Sequence, residues 1–317
     1  MNNNVFGSRR RQIQTSQDVA AIKGPCLREP KIIEPFYFIQ AADSQFGLID
    51  RFLKKLPKAC WDDEIALSES LVAACNKLKP KPKFMIICGD LVDSYPYRVD
   101  PMKDERPYPL DHELREKQLK DFIRIFSKLN IDIPLVCLCG NHDIGDEPTL
   151  ETVNSYKRIF GEDYFYFILN DVLFIVLNSQ FYKHRAFVED YAQKQDAWLN
   201  EILTKCKSFK TAIVFQHIPW FLAKPDEDED YFNIEPKTRA VWLDKLKDAV
   251  VKKVMCGHYH RNAGGWHGDM ELVVTSAIGA QIGPDLSGAR LVSVLQDGSV
   301  KHHYYAIEDL PEQVQLD

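Results

Sequence analysis

Residues 84–93, FMIICGDLVD, set the reading of the whole chain. Five apolar residues in a row, short and mostly aliphatic, have the pattern of a strand buried on both faces. A glycine then permits a tight turn, and Asp90 and Asp93 follow just past the strand end. The same arrangement recurs four times. FYFIQAA at 36–42 precedes Asp43-Ser44-Gln45, and PLVCLC at 134–139 precedes Gly140-Asn141-His142-Asp143. TAIVF at 211–215 precedes Gln216-His217, and VKKVMC at 251–256 precedes Gly257-His258-Tyr259-His260. Open α/β sheets build their sites at strand ends. A single glycine–aspartate turn or a single histidine is commonly structural, but five strand ends that each supply Asp, Asn or His point to one shared site.

Outward from these strands, residues 62–78, 110–129, 190–206 and 236–248 have helical spacing, and 172–177 is a further buried strand. The last third turns to strands near 271–275, 290–295 and 300–305. Alternating strands and helices with a strand-rich end predict a layered α/β domain with a mixed sheet system, over 34–307. Residues 1–33, with the cluster Arg9-Arg10-Arg11, read as a flexible N-terminal tail, and 308–317 as a C-terminal tail. Two polar stretches interrupt the order: the proline-rich 95–109 and the acidic 225–233. Loops of that length serve as rims or lids, or are solvated insertions. The aromatics Trp220, Phe221, Tyr231 and Phe232 in and before the acidic stretch look exposed. The run at 226–230 would favour basic sequence flanking a substrate.

Composition narrows the function classes. With 317 residues, 45% of them hydrophobic, a sizeable core is available. A net charge of −6 gives no basic footprint for nucleic acid, so no nucleic-acid partner is expected. No run is long and apolar enough to span a membrane, and the N-terminus lacks the apolar core of a secretory signal, so a cytoplasmic location is expected. The eight cysteines show no zinc-ribbon pairing and read as reduced core residues. No heptad or interface signature is evident, so a monomer is expected.

The residue types suit phosphoester cleavage. In-line attack needs a nucleophile at neutral pH and compensation for charge on the phosphoryl oxygens. Two metals about 3.5–4 Å apart supply both. The motifs resemble those of the calcineurin-like metallophosphoesterase superfamily: D-x-H, GDxxD, GNH[DE], a later His and GHxH, over residues 35–305. That resemblance implies a four-layer α-β-β-α sandwich, with two mixed β-sheets flanked by helices. It also implies a dinuclear centre with a bridging hydroxide, holding Mn, Mg, Fe or Zn. Asp90 would bridge both metals, Asp43 and His260 would bind the first with Gln45 beside them, and Asn141, His217 and His258 would bind the second. His142 would donate a proton to the leaving alkoxide, oriented or charged by Asp93, and Asp143 would support the loop. Longer stretches, among them VLNSQFY, VFQHIPWFL, GHYHRNAGG and SAIGAQIG, resemble a subfamily of serine/threonine protein phosphatases. A phosphoprotein substrate is implied by that likeness alone.

Two departures stand out. The first motif is D-x-Q, so Gln45 either offers a neutral carbonyl oxygen, which suits hard ions, or reaches no metal. No arginine follows GNHD, where related phosphatases carry a phosphate clamp; Arg261 and Asn262 either compensate or are ordinary loop residues. A phosphodiesterase on small or nucleotide diesters, and a catalytically weak binding protein with this fold, are the competing readings.

Overall fold

The computed structural model describes residues 13–22, 33–58, 60–96 and 112–316. The first half runs β1 (Phe36–Ala41), α1 (Asp62–Lys77), β2 (Met85–Cys88), α2 (His112–Phe126), β3 (Leu135–Leu138), α3 (Asn141–Ile144) and α4 (Leu150–Phe160). It continues through β4 (Phe165–Leu169), β5 (Val172–Val176), α5 (Gln180–Lys183), α6 (Glu189–Cys206), β6 (Thr211–Phe215) and α7 (Pro236–Asp248). The end is mostly strand: β7 (Val251–Cys256), β8 (Ala263–His267), β9 (Met270–Val274), β10 (Gly288–Val294) and β11 (Val300–Ala306), closed by a 3-10 turn at Ile307–Asp309.

The strands form two mixed sheets, ordered β11-β10-β1-β2-β3 and β4-β5-β6-β7-β9-β8. In the first sheet β1, β2 and β3 are parallel, with β3 at one edge, and β10 and β11 add antiparallel at the other side. In the second, β5, β6, β7 and β9 are parallel and both edges, β4 and β8, are antiparallel. Side-chain alternation along the strands builds the layers. Phe36 and Phe38 of β1 pack with Phe165, Phe167, Phe174 and Phe215 of the other sheet. Their neighbours Tyr37 and Ile39 turn the other way, onto Leu71 and Cys75 of α1 and Phe122 and Phe126 of α2. On the second sheet, Leu173, Ile175 and Val214 face Leu199 and Ile202 of α6 and Leu243 and Leu246 of α7. The result is the helix–sheet–sheet–helix sandwich expected from the motifs.

The sheet-to-sheet layer is an aromatic nest. Phe84 stacks on Phe38 with centroids 4.6 Å apart and meets Phe174 edge-on at 5.2 Å. Phe174 also stacks on Phe167 at 4.7 Å. Such pairs add to the free energy of simple area burial and hold the sheets in fixed relation, so strand ends from both sheets meet at one rim.

Several expectations change. Residues 13–22, assigned to a flexible tail, are docked: Ser16 bridges Tyr166, Trp198 Nε1 donates to the Gln17 carbonyl, and Val19 and Ile22 join the second sheet's outer core. Apolar side chains at 13, 19 and 22 explain why the segment packs. The C-terminal stretch pairs too, with Lys79 N donating to Glu312 O and Val314 N to Lys79 O. Trp220 and Phe221 are fully buried rather than exposed, because Trp220 packs on Tyr182, with ring centroids 4.9 Å apart. Cys60 is exposed, whereas Cys75, Cys88, Cys137, Cys139, Cys206 and Cys256 are buried free thiols. Cys26, the arginine cluster at 9–11 and most of the 95–109 stretch lie outside the described residues.

Truncating Phe84 to Ala should remove about 3–5 kcal/mol of stability, as for other buried aromatics. Ile168→Ala, at a position 43% exposed, should change it by no more than about 0.5 kcal/mol. Denaturant midpoints of the two variants check the contrast.

Candidate metal centre

The rim where the strand ends meet carries unusual backbone. Asp43 (φ 55°), Gln45 (35°), Asp90 (49°), His258 (70°) and His260 (53°) all adopt left-handed conformations. Each costs on the order of 1–3 kcal/mol for a residue other than glycine. The positions are the ends of β1, β2 and β7, and the strain turns side chains that would otherwise follow the strand pleat into one cavity. Glycines supply the remaining room. A Cβ on Gly89 would lie 2.4 Å from His217 Nδ1, and one on Gly140 would lie 2.2 Å from Asp90 Oδ1.

Two sets of potential ligands result, Asp90 with His217 and His258, and Asp43 with Asp90 and His260. Within each, one oxygen or nitrogen per residue lies within 4.8 Å of the others. Asp90 belongs to both. Each histidine spends one ring nitrogen on a backbone carbonyl: His217 Nδ1 on Cys88 (2.8 Å), His260 Nδ1 on Ala280 (2.5 Å) and His258 Nε2 on Tyr231 (3.3 Å). A carbonyl can only accept, so those nitrogens carry protons, and the opposite nitrogens of His258 and His260 keep their lone pairs, the usual preparation of a metal-binding imidazole. Asn141 Oδ1 lies 3.1 Å from His217 Nε2. Gln45 donates through Nε2 to Asp93 Oδ1 at 3.4 Å, while its buried Oε1 has no hydrogen-bond partner among the described residues. A buried orphan acceptor is costly, and a cation would satisfy it. Carboxylate, imidazole and amide donors suit divalent ions, so the residues fit the group that the motifs imply.

Electrostatics agree with this. Burial pushes the Asp43 carboxyl well above the usual range; His217 opposes the shift and the charge of Asp90 adds to it. Burial acts the same way on Asp90, but His217, His142 and His258 outweigh it and hold that carboxyl below the usual range. Burial lowers His260 to about 4 and takes His258 well below its ordinary value, so both present neutral rings. Burial opposes protonation of His217 as well, yet Asp90, with its Oδ2 3.3 Å from Nε2, raises that imidazole to about 9. Two buried carboxylates thus draw a positive charge into the cavity, here a proton on His217.

His142 is nearly buried, with its main-chain N–H on Asp90 Oδ1 at 2.9 Å. Its Nδ1 donates to the Asp93 carbonyl at 2.5 Å and lies 3.5 Å from that residue's Oδ1. The closest contact between the two is therefore through the backbone of Asp93, whose carboxylate is gripped by Arg51 through Nε and Nη2. Asp143 ties the loops together, accepting from Leu91 N and Gly140 N. Neither candidate after GHYH is placed as a simple phosphate clamp. Arg261 donates from Nε and Nη2 to Ile282 O, and Asn262 Oδ1 accepts from Arg290.

Sequence reasoning passed over several neighbours of the site. Arg115 of α2 donates to the carbonyls of Ser94, His142 and Asp143; its phase with Gln118, Leu119 and Phe122 on the helix's buried face was the available signal. Tyr95 packs on the His142 ring at 4.2 Å. Tyr231, from the acidic loop, reaches Asn141 and His258, and Asp146 reaches Asn141. Residues 38–262 match the family model of calcineurin-like phosphoesterases.

The chain belongs to the calcineurin-like phosphoesterase family.

Within that family it is similar to the serine/threonine-protein phosphatase CPPED1 of Homo sapiens, 44% identical over 298 residues that span 91% of this chain and 89% of that protein. Among solved structures it is similar to GAP50, the anchor in the inner membrane complex of Plasmodium (TM-score 0.59, 12% identity, 89% of this chain and 87% of that one). It is also similar to a dimetal phosphatase from Danio rerio (TM-score 0.56, 12% identity, 87% and 100%). At those identities the two structures bear on the fold alone. The subfamily likeness read from the longer sequence stretches agrees with the CPPED1 match.

As a ligand, His217 would have to shed its proton, and Asp90 raises that imidazole to about 9, so metal uptake should release protons. Affinity should rise with pH from 6 toward 9. Calorimetric titration with Mn²⁺ in buffers of different ionisation enthalpy measures both.

Proposed function

We propose that this family member is a phosphoserine/phosphothreonine protein phosphatase acting on cytoplasmic phosphoproteins. It would use a pair of divalent ions held by Asp43, Gln45, Asp90, Asn141, His217, His258 and His260. The observation that carries the reading is Asp90's membership of both ligand groups. The Gln45 carbonyl oxygen, two residues after Asp43 and without a hydrogen-bond partner among the described residues, supports Gln45 as a ligand at the histidine position of the superfamily's D-x-H motif. The substrate class comes from the CPPED1 match over nine-tenths of the chain.

When bound, two divalent ions supply a hydroxide nucleophile at neutral pH and offset charge on the phosphoryl oxygens. The protein's own part is to place and protonate. Asp90 would serve both ions, with Asp43, Gln45 and His260 at the first and Asn141, His217 and His258 at the second. His142 is tied through Nδ1 to the Asp93 carbonyl, which leaves Nε2 as the atom that meets substrate. A serine or threonine alkoxide is a poor leaving group, so the proton that His142 hands over from Nε2 lowers the barrier. The Arg51–Asp93 pair neutralises the carboxylate nearest the His142 ring, and so keeps a fixed negative charge away from an incoming phosphate. Gln45 and Asp93 share a hydrogen bond, and His142 is anchored on the backbone of that same Asp93. The first metal position and the proton donor are thus linked.

Steady-state assays of the Mn²⁺-loaded chain test this. A phosphoserine peptide and p-nitrophenyl phosphate should be cleaved, and bis-p-nitrophenyl phosphate far more slowly. His142→Ala should keep its metal and lose about 10²–10⁴ in kcat. Faster diester cleavage would mark a phosphodiesterase, and no turnover in any divalent ion would mark a binding protein.

A further inference from the structure

A side-chain amide that serves as a metal ligand has a problem the carboxylates lack: its two ends are nearly the same shape, and only the oxygen can bind a cation. Asn141 faces the His217 imidazole with one end and three polar groups with the other. Its Oδ1 lies 3.1 Å from His217 Nε2. Its Nδ2 donates to Asp146 Oδ1 at 2.9 Å, to the Tyr231 hydroxyl at 3.1 Å and to the Tyr95 hydroxyl at 3.4 Å. A tyrosine hydroxyl both donates and accepts, so it tolerates either orientation of the amide. An ionised carboxylate only accepts. Of the groups at the Nδ2 end, Asp146 is therefore the one that rejects the flipped amide, in which the Asn141 oxygen would face a carboxylate and its NH₂ group would face the ion.

We infer that Asp146 is a positioning residue for the second metal: its carboxylate fixes the Asn141 amide with the oxygen toward the ion. The inference rests on the reading of Asn141 as a ligand. The local backbone is built to hold Asp146 there. Asp146 lies five residues beyond Asn141, just past the end of α3, where Gly145 adopts φ 96° and its N–H caps the Asn141 carbonyl at 2.7 Å. Gln180 Nε2, at the start of α5, donates to the carbonyls of Gly145 and Asp146 at 3.3 and 3.4 Å. The aspartate is thereby tied to two elements, and its side chain points back over the amide. Tyr231 contributes through its backbone as well, since its carbonyl meets His258 Nε2, but that contact does not depend on the tyrosine side chain.

The test is Mn²⁺ binding to the full-length chain, followed by the loss of the free-ion EPR signal. Wild type should take up two ions. Asp146→Asn, which keeps the shape but can also donate, should weaken one of the two by about 10–100-fold, the usual cost of removing a partner that orients a metal ligand. The other ion and the melting temperature of the metal-free protein should be unchanged. Asp146→Glu, still acceptor-only, should retain most of the lost affinity, and Tyr231→Phe should cost much less than Asp146→Asn. Excess Mn²⁺ should restore p-nitrophenyl phosphate turnover to Asp146→Asn. Wild-type binding by Asp146→Asn, equal loss in the Asn and Glu variants, or loss of both ions together would overturn the assignment. A wild type that binds fewer than two ions would overturn the dinuclear reading itself, and the role of Asp146 with it.

Discussion

Asp90 sits fully buried at the end of a central strand, a few ångströms from a second buried carboxylate, Asp43, and the surrounding architecture can be understood as what that arrangement requires. Two carboxylates in a cavity almost closed to water repel unless positive charge stands among them. His217 is the histidine placed between them, with Nε2 3.3 Å from Asp90 and Nδ1 3.9 Å from Asp43, and Asp90 raises its pKa to about 9. The left-handed backbone at Asp43, Gln45, Asp90, His258 and His260 is strain of the same origin. Each residue leaves the strand geometry so that its side chain points into a common space, and the aromatic nest between the sheets supplies the rigidity that keeps them there.

The outer contacts follow from that centre. Cys88, Ala280 and Tyr231 give backbone carbonyls to the three imidazoles, Asp143 joins the loops after β2 and β3, and Arg115 reaches across from α2 to the carbonyls of the GNHD turn. Arg51 has a different task. It neutralises Asp93, so that His142 is oriented by a neutral carbonyl. The acidic loop is less of a free rim than its composition suggests. Glu227 accepts the N–H groups of Leu222, Ala223 and Lys224 and the Asn233 amide. That folded turn sets Tyr231 over Asn141 and His258.

Much of this was legible in the sequence. The strand-then-ligand pattern at 43, 90, 141, 217 and 258 placed the central strands and gathered the candidate ligands, because a buried strand and the turn after it are local features with strong composition. Strand β5 was read at 172–177, but its hairpin partner β4 was missed although the turn between them carried a signal: Asn170 and Asp171 both have positive φ, as a two-residue hairpin turn demands. Strand β8, AGGWH, hides behind its glycines. Contacts made at long range had no local mark. Nothing near Ser16 announces Tyr166, and nothing in PWF shows that Trp220 turns inward onto Tyr182. Gln45 shows the limit in the other direction. Its departure from the family pattern was plain in the sequence, but only the surroundings of its side chain reveal a carbonyl oxygen without a partner among the described residues.

The central claim is that one carboxylate serves two ions, and EPR spectroscopy of the chain loaded with two equivalents of Mn²⁺ addresses it most directly. Ions that share Asp90 should give the signal of an exchange-coupled pair, and Asp90→Asn should abolish that coupling. Two uncoupled Mn²⁺ signals in wild type, or a coupled signal that survives Asp90→Asn, would contradict the account.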